Sequence, residues 1–176
     1  MIIYFLRHAS AGKKVLNPKK DERRPLDPEG ILQARYIGRM LAALEVQVDQ
    51  IVSSPLTRAM QTASLVANEL AFESGVQADD ALRPESDFDQ FRSMLARLRK
   101  YEEIIVVGHN PSFSEFLSKT ISGFSGAAQI EFKKGAVGKV ELQGRNGSLH
   151  WLVIPKIARV LQTTLKASTR PKTSRK

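Results

Sequence analysis

Ile104-Ile105-Val106-Val107 is apolar and β-branched at every position, and it ends on Gly108-His109. A run this short and this apolar leaves no solvated face. It reads as a strand buried on both sides, which requires layers packed over both faces of its sheet. Ile2-Ile3-Tyr4-Phe5-Leu6 has the same character and runs into Arg7-His8. Asp49 to Ser53 reads as a further strand. Between these runs the apolar spacing changes to a helical one. Asp27-Pro28-Glu29 supplies an N-cap, a proline at the first helical position and an acid in the first turn. Ile31, Ala34, Ile37, Leu41 and Leu44 then follow on one face. Ala59, Ala63, Val66, Ala67 and Leu70 mark a second helix after Ser54-Pro55. Asp87 caps a third, with Phe88, Phe91, Leu95 and Leu98 inward. Asn110-Pro111 starts a fourth, with Phe113, Phe116, Leu117 and Ile121 inward. Gly135 to Leu142 and Leu149 to Ile154 read as a hairpin turning at Gly144-Arg145-Asn146-Gly147. The order predicts an α/β fold, a three-layer αβα sandwich with a mostly parallel central sheet.

With 176 residues, 42% of them hydrophobic, the chain suits one domain with a real core. The absence of Cys excludes disulfides, thiolate metal sites and cysteine nucleophiles. The Met1–Leu6 run has no basic flank before it and does not read as a signal peptide, and no apolar run is long enough to span a bilayer. The expectation is a cytoplasmic monomer.

The charge of +9 is unevenly spread. Lys166, Arg170, Lys172, Arg175 and Lys176 supply five of the nine, in a segment with no acid. The domain is therefore expected over residues 1–160, with 161–176 a basic, flexible tail. Lys13 to Arg24 holds six further cations against Asp21 and Glu22. Neither stretch has interleaved aromatics, and no nucleic-acid-binding motif occurs, so specific nucleic-acid recognition is not expected. A basic rim beside an anionic ligand is the simpler reading.

Chemistry gathers where strands hand over to helices, the usual ligand position in open α/β sheets. Arg7-His8 ends the first strand, Arg58 lies in the first turn of the helix after Ser53-Ser54-Pro55, and His109 follows the Ile104–Gly108 strand. Helix N-termini and bidentate guanidinium groups suit a phosphate. Arg7 and Arg58 would neutralise its oxygens and hold it in line with a neutral nitrogen of His8. His109, if protonated, would stabilise the transition-state charge. A metal centre would need carboxylates at spacings the sequence lacks, and no phosphate-binding loop or nucleophile elbow is present. No cofactor is implied. His150, beside Trp151 in a strand, reads as structural.

Leu6-Arg7-His8-Ala9, the segment Ser53 to Ala63, and Val107-Gly108-His109-Asn110-Pro111 together resemble the three ordered signatures of the histidine phosphatase superfamily, with its phosphoglycerate-mutase-like fold. Arg24-Pro25-Leu26-Asp27-Pro28-Glu29-Gly30 is similar to a segment of the short bacterial protein-phosphohistidine phosphatases, the SixA type. That resemblance implies a phosphohistidine intermediate on His8 and a phosphate pocket of Arg7, Arg24, Arg58 and His109. It implies phosphohistidine on a signalling or phosphotransfer protein as substrate, such as a histidine phosphotransfer domain. Larger superfamily members use a glutamate as general acid. Glu85 is the nearest candidate, with Asp87 and Asp89 close by, and a helix cap or surface carboxylate is the preferred reading of all three. Two alternatives remain: a phosphatase acting on a small phosphomonoester, and a non-catalytic phosphate-binding module.

Overall fold

In the computed structural model, which describes residues 1–123, 128–144 and 146–168, one six-stranded sheet runs through the molecule. The elements in chain order are β1 (Ile2–Arg7), α1 (Pro18–Glu22), α2 (Pro28–Ala43), β2 (Gln50–Ser53), α3 (Thr57–Glu69) and β3 (Val76–Ala78). A 3₁₀ turn at Asp80–Leu82 precedes α4 (Phe88–Arg97), β4 (Glu103–Gly108), α5 (Ser112–Ser122), β5 (Val137–Gln143), β6 (Asn146–Val153) and α6 (Pro155–Ser168). The sheet order is β3-β2-β4-β1-β5-β6. The first four of these strands are parallel, and the β5–β6 hairpin joins antiparallel at the β1 edge. The expected αβα sandwich is therefore the observed one.

Side-chain alternation along β1 shows why both layers are needed. Ile3 and Phe5 enter one core with Phe91, Phe113 and Phe116 of α4 and α5. Tyr4 and Leu6 enter the other, with Ile37 and Leu41 of α2 and Ala63 and Val66 of α3. All eleven are essentially inaccessible to solvent. Burying each large apolar side chain stabilises the fold by roughly 1.5–3 kcal/mol. Pairing β1 with β4 brings Arg7 opposite Gly108, so the ends carrying His8 and His109 lie side by side.

Capping follows the sequence closely. Asp27 caps α2 by accepting the Gly30 N–H at 2.7 Å. Asp87 and Gln90 form a capping box on α4. The α5 helix begins at Ser112, one residue after the proline expected to open it. Strand β6 starts at Asn146 instead of Leu149, so the hairpin turn is shorter than its glycines suggested. Gly144 sits in the turn with φ +62°, a conformation glycine adopts at little cost. Helix α6 continues to Ser168, past residue 160 where the sequence places the start of a flexible tail. Gln162 Nε2 donates to the Tyr36 carbonyl at 2.7 Å, tying this extension to α2. The remainder of that tail, residues 169–176, lies outside the described residues. No described helix is long and apolar enough to cross a membrane.

Candidate active site

The imidazoles of His8 and His109 face each other with centroids 4.9 Å apart and planes inclined at 55°. They are 7% and 2% exposed. The Ala9 carbonyl accepts a 2.7 Å hydrogen bond from His8 Nδ1. Because a carbonyl only accepts, the proton of a neutral His8 sits on Nδ1 and the lone pair on Nε2. His109 Nε2 lies 2.9 Å from Ser54 Oγ, and its Nδ1 is buried with no protein partner.

Three guanidinium groups surround the pair, and each is held from outside the pocket. Arg7 donates to the Phe132 carbonyl at 2.6 Å. Arg58, 5% exposed, donates to the Asp21 backbone carbonyl at 3.0 Å and pairs with its carboxylate at 3.4 Å. Arg24 Nε pairs with the other oxygen of that carboxylate at 2.9 Å. The Nε atoms of Arg7 and Arg58 are buried and have no protein partner. Together with His109 Nδ1, these are buried polar groups of a kind that costs free energy unless a ligand completes them.

Burial pushes His8 down to about 3, against the hydrogen bond to Ala9 and helped by the charges of Arg58, Arg7 and Arg24. His109 is lowered too, first by burial and then by His8 and the same arginines. His109 therefore enters as a neutral imidazole, not as the protonated group that would stabilise transition-state charge. In the tautomer in which Ser54 Oγ donates to Nε2, it still presents Nδ1–H as a hydrogen-bond donor. An anion among these cations would act in the opposite direction, favouring protonation of both rings.

The chain segments that carry the site are anchored by side chains whose roles the sequence did not disclose. Thr62 Oγ1 accepts the Ala9 N–H at 3.1 Å, Gln33 accepts Ser10 N–H at 2.9 Å, and Gln61 accepts Leu26 N–H at 2.8 Å. Asp27 also accepts from Ser10 Oγ and Gly12 N–H, both at 2.7 Å. Asp21 is the missed residue of greatest consequence. It bridges Arg24 and Arg58 and accepts from the Val15 N–H at 2.9 Å. Burial raises its carboxyl, but the Val15 and Arg24 bonds and the arginine charges outweigh that and hold it below the usual range. Its only sequence signal is an acid among six cations.

Glu85 is not part of this cluster. Its side chain is 70% exposed and lies 3.7 Å from Arg83. Asp87 caps α4 and Asp89 faces Arg92. His150 lies on the hairpin surface, 3.1 Å from Glu141.

The family model for the histidine phosphatase superfamily (branch 1) matches residues 3–104. An uncharacterised protein of Picosynechococcus is 30% identical over 142 residues, 78% of this chain and 84% of its own. The phosphohistidine phosphatase SixA of Escherichia coli is 25% identical over 158 residues, 88% of this chain and 94% of its own. A solved structure of the protein histidine phosphatase SixA complexed with tungstate superposes with a TM-score of 0.78 at 23% identity. That superposition covers 89% of this chain and 99% of the other.

Proposed function

The chain belongs to the histidine phosphatase superfamily, and from that premise we propose that it is a metal-independent phosphatase acting on phosphohistidine carried by another protein. The observation that carries the mechanism is the His8 Nδ1–Ala9 carbonyl bond, which leaves a neutral nucleophilic lone pair on Nε2.

A phosphoryl group enters among Arg7, Arg24 and Arg58, whose charges offset its repulsion of the nucleophile. His8 Nε2 attacks phosphorus in line, and the bond from phosphorus to the substrate nitrogen breaks. That nitrogen leaves with the electron pair of the broken bond and takes up a proton. His109 Nδ1–H and the free Nε–H groups of Arg7 and Arg58 donate to the transferred oxygens. Water then attacks the phosphohistidine, releasing inorganic phosphate and restoring neutral His8. A protonated phosphoramidate nitrogen leaves readily, which suits a site where Glu85 lies on the surface.

The substrate class is supported by shape. Both rings are recessed, so the phosphoryl group has to arrive on an arm, and a phosphohistidine side chain projecting from a protein surface supplies one. Between α3 and α4 the chain forms β3 at the sheet edge and a 3₁₀ turn, with no inserted cap in that segment. Tungstate, present with the SixA relative, is a tetrahedral oxyanion like phosphate.

The test measures phosphate release from a phosphorylated histidine phosphotransfer domain and from a panel of small phosphomonoesters, with His8→Ala as control. Preference for the phosphoprotein, together with an acid-labile phosphoenzyme absent from His8→Ala, is expected. Faster turnover of one small ester moves the substrate to metabolism and keeps the mechanism. Turnover surviving in His8→Ala overturns the mechanism.

A further inference from the structure

Arg7 also lines a second cavity of about 610 Å³, bounded by α2, the segment before β5 and the start of α6. Lys133, Lys134, Lys156 and Arg159 share it, against one acid, Glu29. Lys133 faces Glu131 at 3.5 Å. Among the described residues, no ion pair forms at Lys134, Lys156 or Arg159, and the first turn of α6 carries no acid. Glu29 receives a 3.3 Å hydrogen bond from Gln33. Cations gathered this way repel one another in the free protein, and an anionic ligand removes that repulsion.

We propose that this groove binds acidic side chains flanking the phosphohistidine of the protein substrate. The inference rests on the phosphohistidine reading above. Three observations favour a protein surface over a small ligand. Lys134, Lys156 and Arg159 are exposed and spread over a loop and one face of α6. They offer charge without the buried, fixed donors of the catalytic pocket. Leu32, 47% exposed and lining the same groove, adds apolar contact, the mixture usual at protein interfaces. Arg7 belongs to both cavities, so an acid bound in the groove sits one guanidinium away from the transferred phosphoryl group.

The experiment uses the full chain and two phosphohistidine peptides of equal length. One has Asp and Glu on either side of the phosphohistidine, and the other has Asn and Gln there. Several weak exposed contacts add up, so kcat/KM is expected to favour the acidic peptide about 10-fold. High salt should abolish the preference, since these cations lie in solvent. In K134Q/K156Q/R159Q the ratio should fall to near one. A ratio is independent of the active fraction, so partial misfolding does not imitate this result. Equal turnover of the two peptides by the unaltered enzyme overturns the groove and leaves the phosphohistidine reading intact. A preference that survives the triple substitution overturns its location. No turnover of either peptide, with a small phosphomonoester hydrolysed, overturns the substrate reading and the groove together.

Discussion

The histidine pocket and the groove beside it are both lined by cations, but it is in the pocket that a buried acid bridges two of them. Asp21 spans Arg24 and Arg58, is itself held by the Val15 N–H, and is 8% exposed. Among the described residues, Lys134, Lys156 and Arg159 form no such ion pair and stand in solvent, with Lys134 acting on Asp27 from a distance. The difference separates two uses of positive charge. In the pocket, a buried acid lets guanidinium groups come close together and fixes where they point, which chemistry at a phosphorus atom requires. In the groove, exposed and screened charges attract an anionic surface without orienting it.

Removing the counter-ion should turn the pocket into something closer to the groove. Asp21→Ala leaves Arg58 buried without its ion pair, and breaking a buried pair typically costs about 3–5 kcal/mol. Arg24 and Arg58 also lose their common anchor. Expected results are a stability loss near the lower end of that range, measured by urea unfolding, and a fall in kcat of about 100-fold. Asp21→Asn keeps part of the hydrogen bonding and should be milder in stability than in rate. Near-normal kcat in Asp21→Ala would show that the arginines are positioned without it, and the contrast between the two sites would collapse.

How much of this was legible follows the same division. The buried strands, the capped helices and the convergence of Arg7, His8, Arg58 and His109 could be read locally, because each depends on nearby residue types and on the rule that strand ends carry sites. Arg24, away from any strand end, entered only through the family resemblance. Asp21 could not, because its meaning depends on Arg58, 37 positions away. Thr62, Gln61 and Ser54 were visible inside a motif, but the backbone groups they hold lie in other segments or turns. Strand β3 has only three residues at a sheet edge. Helix α6 turns Ile157, Val160 and Leu161 outward and buries Ala158 among its first residues, which weakens any inward apolar pattern. The groove's exposed cations stand on that helix and on a loop, against the predicted α2, so they share the helix's invisibility.

A smaller effect on stability comes from protons. Both pocket histidines are held below their ordinary value in the folded state, His8 at about 3, first because they are buried. In the unfolded chain they titrate near 6.5. Below that value the unfolded state binds the extra protons, so stability is fully present above about pH 6.5 and declines as the pH falls toward the folded values. Two such groups give a loss of about 2 kcal/mol between pH 7 and 5.5. Thermal melts of H8N/H109N should lose most of this slope. A slope unchanged by the double substitution would show that the pocket does not hold neutral imidazoles.

The smallest effect tests orientation directly, the property that the pocket has and the groove lacks. Ser54 Oγ accepts the Leu56 N–H at 3.4 Å and lies 2.9 Å from His109 Nε2. When the Ser54 hydrogen is directed to Nε2, the proton of neutral His109 is on Nδ1. That nitrogen is the buried one with no protein partner, so the tautomer decides whether it can donate to a phosphoryl oxygen. Ser54→Ala removes one hydrogen bond, about 1 kcal/mol of stability, and leaves the imidazole free to adopt either tautomer. The expected fall is about 10-fold in kcat, with KM for the same phosphopeptide changed much less. Nitrogen-15 spectra of the unaltered protein should show the His109 proton on Nδ1, and those of Ser54→Ala a mixture. A proton already on Nε2 in the unaltered protein would make Ser54 an acceptor, strip His109 of its donor role, and leave the arginines alone to complete the phosphate site.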